Sequence, residues 1–472
     1  AQRTFFYGLS TGGDLVTFTS GGAMQEQGNV IITGLGINEQ IIAIDFRPAT
    51  GQLYGVSNQS RLFTINLKTG IAVAVSPTPF SPAINGTVVG FDFNPTVDRI
   101  RLVSENEQNL RLNPKTGTVA ATDGSINPGD VRVSAVAYTN SVAGATTTTL
   151  YDIDFAAGKL YKQVPPNDGT LQEVGSLGIS NKGDGGFDIA WDNSTAIAVA
   201  SETDGYNNSL IYKINLTTGQ ATVKGKTSKI LLGIAIAPRP VAYAVDIVNQ
   251  LLIFNPQNVF SMLKKPISGL PRGEKIVGLD SRPVNGQLYA LGRTSRLYTI
   301  NMASGAAAAL GTQSFSQTLN GTRFGFDFNP TVDRIRIVSN KGQNLRLHPV
   351  TGDIAVVDGG LNPGSPAIDA AAYTNNYPGA TTTTLYVIDY LQDKLYTQAP
   401  PNNGTLNVVN TLSMNVADSN GFDIGGNSGN AMGIFTIDDN AFLAAIDLVS
   451  GQVNIISSFP DNVVGFTLGA GF

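Results

Sequence analysis

Along this chain apolar and polar residues alternate in short runs, and clusters of Gly, Asn, Asp, Ser and Pro separate the runs. The clearest passage, residues 276–312, reads IVGLDSRP, GQLYALG, SRLYTINMASG and AAAALGT in succession. Period-two alternation in runs rich in Val, Ile, Thr, Tyr and Phe predicts β-strands, and the clusters predict turns, so this passage predicts four strands. Turns such as NMASG, Asn301–Gly305, suit hairpins whose glycine takes φ > 0. No amphipathic helical pattern of useful length is present.

The same grammar repeats on two scales. GFDFNPTVDRIR occupies residues 90–101 and, letter for letter, residues 325–336, an offset of 235. GQLY (51–54 and 286–289), QNLR (108–111 and 343–346), GATTTTLY (144–151 and 379–386) and GFDI (186–189 and 421–424) keep that offset. Beneath it, a small residue opens an apolar strand at Ala43, Gly90, Ala135, Gly186, Gly233, Gly278, Gly325, Ala370, Gly421 and Gly465, at spacings of 44–51 residues. These are ten units, five in residues 1–240 and five in 241–472. Four strands per unit, repeated many times, predict an all-β fold of the β-propeller kind. A solenoid has shorter repeats and needs capped ends.

The ends of the chain are complementary. The tail VVGFTLGAGF is a first strand with nothing after it, and the head FFYGLSTGGDLVTFTSG has later strands but no first one. Joined, they complete one blade, with residues 463–468 pairing against the 5–20 segment and hiding open sheet edges. At the midpoint only Pro238, Arg239 and Pro240 separate two strands, a reach of roughly 10–14 Å. Two rings side by side would need the chain to pass several strands, roughly 29 Å. One ten-bladed ring is therefore the expectation, with two stacked five-bladed rings as the alternative.

Composition narrows the function classes. The net charge is −5, only 14% of residues are charged, and no Lys/Arg-rich stripe offers phosphate neutralisation, which argues against nucleic acid. There are no cysteines, so disulfides, thiolate metal sites and cysteine nucleophiles are excluded. The most apolar window, residues 229–245, is broken by Pro238 and Pro240, so no membrane span is expected. The opening AQRTFF reads as a mature chain after signal removal, hence an exported protein.

GFDFNPTVDRIRLVS, QNLRLNPKTG and the AYTN…GATTTTLYDID block together resemble a bacterial exported-protein family known as domain of unknown function 4394. The resemblance spans each half almost entirely and implies two fused copies, a propeller-like β fold and export. It implies no activity. The second copy departs from the first at residues 358–360 (DGG for DGS), at His348 for Asn113 and at Val387 for Asp152.

Two constellations could carry chemistry. The third residue of the repeated first strand is Asp45, Asp92, Asp188, Asp280, Asp327 or Asp423 in six units, and Ala137, Ala235, Ala372 or Thr467 in the rest. An acidic ring that binds a structural cation is one reading. Carboxylates that accept backbone N–H groups from the neighbouring blade are the other, and the favoured one. The second constellation is Arg99, Arg101 and Arg111, near Asp92 and Asp98, with Arg334, Arg336 and Arg346, near Asp327 and Asp333, in copy two. Residues two apart in a strand share a face. The cluster would either grip a carboxylate, sulfate or acidic sugar or tie blades together through Asp98 and Asp92, the favoured reading.

Weaker candidates are the threonine runs 146–149 and 381–384, the tyrosines Tyr138, Tyr151, Tyr161, Tyr373, Tyr386 and Tyr396, and the diproline loops 163–171 and 398–406. Catalysis finds little support. His348 is the only histidine, and no HExxH, Gly-x-Ser-x-Gly, Walker or GxGxxG pattern occurs. No catalytic residue or cofactor is assigned. The expected role is non-enzymatic: an exported binding or scaffold protein that contacts a surface polymer, a partner protein or copies of itself. The alternative is a carbohydrate-active hydrolase or lyase with a carboxylate pair on one face.

Overall fold

The computed structural model describes residues 4–20, 24–179, 182–202 and 207–472. Residues 1–3, which carry the start of the expected mature chain, lie outside the described residues. The described chain is all-β: ten four-stranded antiparallel sheets and two single-turn 3-10 segments, Pro166–Asp168 and Pro401–Asn403. Among the described residues, no helix is long and apolar enough to cross a membrane.

Each predicted unit becomes one sheet in chain order. The sheet that opens at Ile41–Phe46 continues through Leu53–Ser57, Leu62–Ile65 and Ala72–Ala74. Burial falls along that order. The first three strands are almost wholly buried, whereas the fourth is only partly so. This gradient explains why first strands read as continuous apolar runs and fourth strands as mixed ones. Turns follow the predicted chemistry. Asn66 Oδ1 accepts the N–H groups of Lys68 and Thr69 at 2.9 and 3.1 Å, and Gly70 closes the turn at φ 72°.

The chain divides into two compact units, Ala1–Arg239 and Pro240–Phe472. In the first unit the first strands are Ile41–Phe46, Val89–Asn94, Ala135–Tyr138, Gly185–Ile189 and Leu231–Ile236. Each touches the next, and the last touches the first, so their contacts form a closed cycle. In the second unit Ile276–Ser281, Phe324–Asn329, Ile368–Tyr373, Asp418–Ile424 and Val463–Leu468 form a separate cycle of the same kind. Apolar cores lie between consecutive sheets. One such core joins Ala135, Ile153 and Leu160 of the third sheet to Phe187, Ala198 and Tyr212 of the fourth.

The strand pairing corrects one expectation. Residues 463–468 do not pair with the 5–20 segment. Val463–Leu468 pairs with Ala242–Asp246, matching Phe466 to Ala244, and Leu231–Ile236 pairs with Thr4–Ser10, matching Ile234 to Gly8. Each half thus completes its own split sheet, in place of the single closure expected of a ten-unit ring. The physical reason is that each half has the same complementary ends as the whole chain. Pro238 and Pro240 also fix φ and lack N–H groups, so the midpoint is a poor place to continue one hairpin.

Candidate functional site

The first strands bring their third residues together. In the first unit, carboxylate oxygens of Asp45, Asp92 and Asp188 all lie within 4.8 Å of one another, and all three residues are buried. Each carboxylate reaches across to another first strand. Asp45 Oδ2 accepts the Phe93 N–H at 2.7 Å, Asp92 Oδ2 the Tyr138 N–H at 2.8 Å, and Asp188 Oδ2 the Ile236 N–H at 2.5 Å. The second unit repeats this with Asp280, Asp327 and Asp423. Their acceptor bonds come from Phe328 at 2.7 Å, Tyr373 at 2.8 Å and Leu468 at 2.7 Å.

Burial raises the proton affinity of every member, because a charge is costly away from water. It pushes Asp188 up to about 7 and Asp423 up to about 6, against the pull of backbone N–H donors. Asp45 and Asp92 are raised well above the usual range by burial and then by the charge on neighbouring carboxylates. Three ionised carboxylates this close in a dry site would repel strongly. The arrangement can therefore retain protons or hold a cation.

The arginines lie elsewhere and are turned inward. Arg101 is 1% exposed. Its Nη1 donates to Asn109 Oδ1 and Asp123 Oδ2, both at 2.7 Å, and its Nη2 donates to Asn167 Oδ1 at 2.7 Å. Its Nε lies 3.4 Å from the Tyr138 hydroxyl. Arg336 makes the corresponding bonds to Asn344, Asp358, Asn402 and Tyr373. Arg111 and Arg346 grip Asp123 and Asp358 with two bonds each and remain partly exposed. Arg99 and Arg334 donate to the carbonyls of Asp98 and Asp333.

The carboxylate partners expected for these arginines are corrected. Asp98 is held by Arg47 at 2.5 and 2.8 Å, and Asp92 serves Tyr138, so neither joins Arg101 and Arg111. The shared partner is Asp123, which sequence reasoning missed. Its only signal was an aspartate at the same place in both copies, Asp123 and Asp358, inside segments noted for their differing glycine and serine. The third strand delivers Arg111, and the turn after the fourth strand delivers Asp123, whose N–H bonds back to the Asn109 carbonyl. That return of the chain cannot be read from spacing.

The remaining candidates have structural places. Tyr138, Tyr151, Tyr161, Tyr373 and Tyr396 are buried, and Tyr386 is partly buried. The diproline loops send Asn167 and Asn402 onto Arg101 and Arg336. His348 Nδ1 accepts the Val350 N–H at 3.1 Å, the turn bond that Asn113 Oδ1 makes to Lys115 at 3.0 Å in copy one. Asp152 is fully buried, and neither carboxylate oxygen has a hydrogen-bond partner.

Residues 14–235 and 250–467 each match the family described as Domain of unknown function (DUF4394). The chain belongs to that family and contains two copies of its domain. No curated protein matches it.

Proposed function

We propose that each copy of the family domain is a five-bladed β-propeller, and that the chain is an exported, non-catalytic scaffold or binding protein. The cyclic contacts of the first strands and the completion of a split sheet within each half support the propeller reading. An end-on electron-microscopy view with five-fold units supports it further, and a ten-fold ring overturns it.

The observation that carries the non-catalytic reading is the inward commitment of the charged groups. A glycosidase needs two carboxyl groups facing a cleft at about 5–10 Å, with room for sugar and water. Here the clustered carboxylates are all buried, and neighbouring backbone N–H groups occupy them. The outermost strands expose apolar side chains instead, including Val223 at 55%, Phe260 at 68% and Val408 at 58%.

The test incubates the protein with insoluble cellulose, chitin and peptidoglycan and follows both co-sedimentation and release of soluble sugar. Co-sedimentation without release fits the scaffold reading. Release that disappears in an Asp→Asn variant would instead establish the hydrolase.

A further inference from the structure

The two carboxylate triads differ in what surrounds them. Where the first unit has Ala235, the second has Thr467, whose Oγ1 lies 3.0 Å from both Asp280 Oδ1 and Asp423 Oδ2. Where the first unit has Ser141, the second has Asn376, 235 positions on. Ser141 turns away and donates to the Tyr138 carbonyl at 3.2 Å. Asn376 is 9% exposed and lines one small pocket together with Asp280, Asp423 and Thr467. Its Nδ2 donates to Asp423 Oδ1 at 3.4 Å and to the Ile424 carbonyl at 3.3 Å, which leaves Oδ1 without a hydrogen-bond partner.

A buried amide oxygen without a donor is costly, and native proteins rarely keep one. Beside three clustered carboxylates, a cation would supply that partner. The available ligands are carboxylate, hydroxyl and amide oxygens, with no imidazole or thiolate among them. All-oxygen sets select hard cations. Mg²⁺ demands near-ideal octahedral geometry and retains water, whereas Ca²⁺ accepts irregular shells of six to eight oxygens at about 2.3–2.6 Å.

We propose that Asp280, Asp327, Asp423 and Thr467, together with Asn376 once its amide turns Oδ1 inward in place of Nδ2, form a calcium site in the second unit, and that the first unit, lacking the last two ligands, has none. The cation offsets two of the three carboxylate charges. The N–H groups of Phe328, Tyr373 and Leu468 solvate what remains. Calcium here joins strands from the first, second, fourth and fifth sheets of the cycle, together with the loop that carries Asn376.

The experiment uses the full chain, equilibrated with about 1 mM CaCl₂ and then desalted, with calcium measured by mass spectrometry and Tm by calorimetry. This concentration saturates sites across most of the protein calcium range. The expected result is one calcium per chain and a Tm that falls on chelation. The double variant Asn376→Ser, Thr467→Ala should stay folded by circular dichroism, lose the bound calcium and lose the chelator-dependent Tm shift. Asp92→Asn, in the first unit, should leave calcium content unchanged. No retained calcium, two per chain, or equal retention by the double variant each overturns the proposal.

Discussion

Arg101 gathers acceptors from two sheets: Asn109 and Asp123 from its own, Tyr138 and Asn167 from the next. Planar guanidinium donors suit such divergent acceptors, which explains why an arginine can be fully buried without an unpaired charge. Asp152 shows the opposite balance. Its carboxyl group is buried without hydrogen bonds, and copy two has Val387 in its place. Asp152→Val should therefore stabilise the protein by about 1–3 kcal/mol, the cost of an unmade buried hydrogen bond. Urea unfolding measures this, and a destabilised variant would mean that Asp152 acts as a counter-charge for Arg101. The first-unit triad adds a pH effect. Burial raises Asp45, Asp92 and Asp188, the last to about 7, so below about pH 4 both folded and unfolded states are protonated and the triad contributes nothing. As pH rises from about 4 to about 7 the unfolded chain loses protons that the folded chain keeps, and stability falls. Glu39, held at about 2 by Arg61, works in the other direction, contributing stability above about pH 4 that is lost towards pH 2. In chelator, Tm should peak near pH 4–5 and decline towards pH 8. Asp92→Asn should flatten the decline, because its amide can keep the Tyr138 acceptor bond and give Asp45 a neutral donor. A Tm that climbs steadily to pH 8 would sink this account.

The first strands owe their close approach to small residues at the element scale. A Cβ added at Gly186 would lie 2.6 Å from the Ile234 nitrogen and 2.7 Å from the Gly233 Cα, both backbone atoms that cannot swing aside. At Gly90 the obstruction is Val136, whose nitrogen would be 2.9 Å away. Gly186→Ala should thus lower stability by about 1–3 kcal/mol, the usual cost of overpacking. Gly28, in the exposed outer strand Gln25–Ile31, has nothing within 4 Å of an added Cβ, and Gly28→Ala should be neutral within about 0.5 kcal/mol. Denaturation of the two variants side by side separates crowding from a general glycine effect. This requirement was legible in part. The repeated small residue marked where each first strand begins, and alternation marked its faces. The carboxylates on those strands were legible as a recurring position, but their grouping in threes was not. It depends on which strands touch around the cycle, and Ala137, Ala235 and Ala372 look like equivalent positions until that order is known.

At the scale of the whole molecule, each half builds apolar cores from its own residues. One joins Leu9 and Leu15 to Ala235, and another joins Ala242 and Phe254 to Phe466. Residues 1–239 and 240–472, expressed separately, should each fold with native-like circular dichroism and a cooperative melt. Halves that aggregate or melt without cooperativity would show that completion of the split sheets within each half is not sufficient. The strands, turns, ten-unit count, duplication and family were determined by the sequence itself, because alternation, turn chemistry and repetition are local properties of the chain. Which terminal strand completes which sheet was decided only in three dimensions. GIAI at 233–236 and GFTL at 465–468 present the same small-then-apolar pattern. The ladders they form use backbone N–H and C=O groups, which are alike in both strands. The choice follows from the proline-bounded junction and from the packing of five first strands into each closed set of contacts. The same packing draws three distant aspartates into one buried triad in each half.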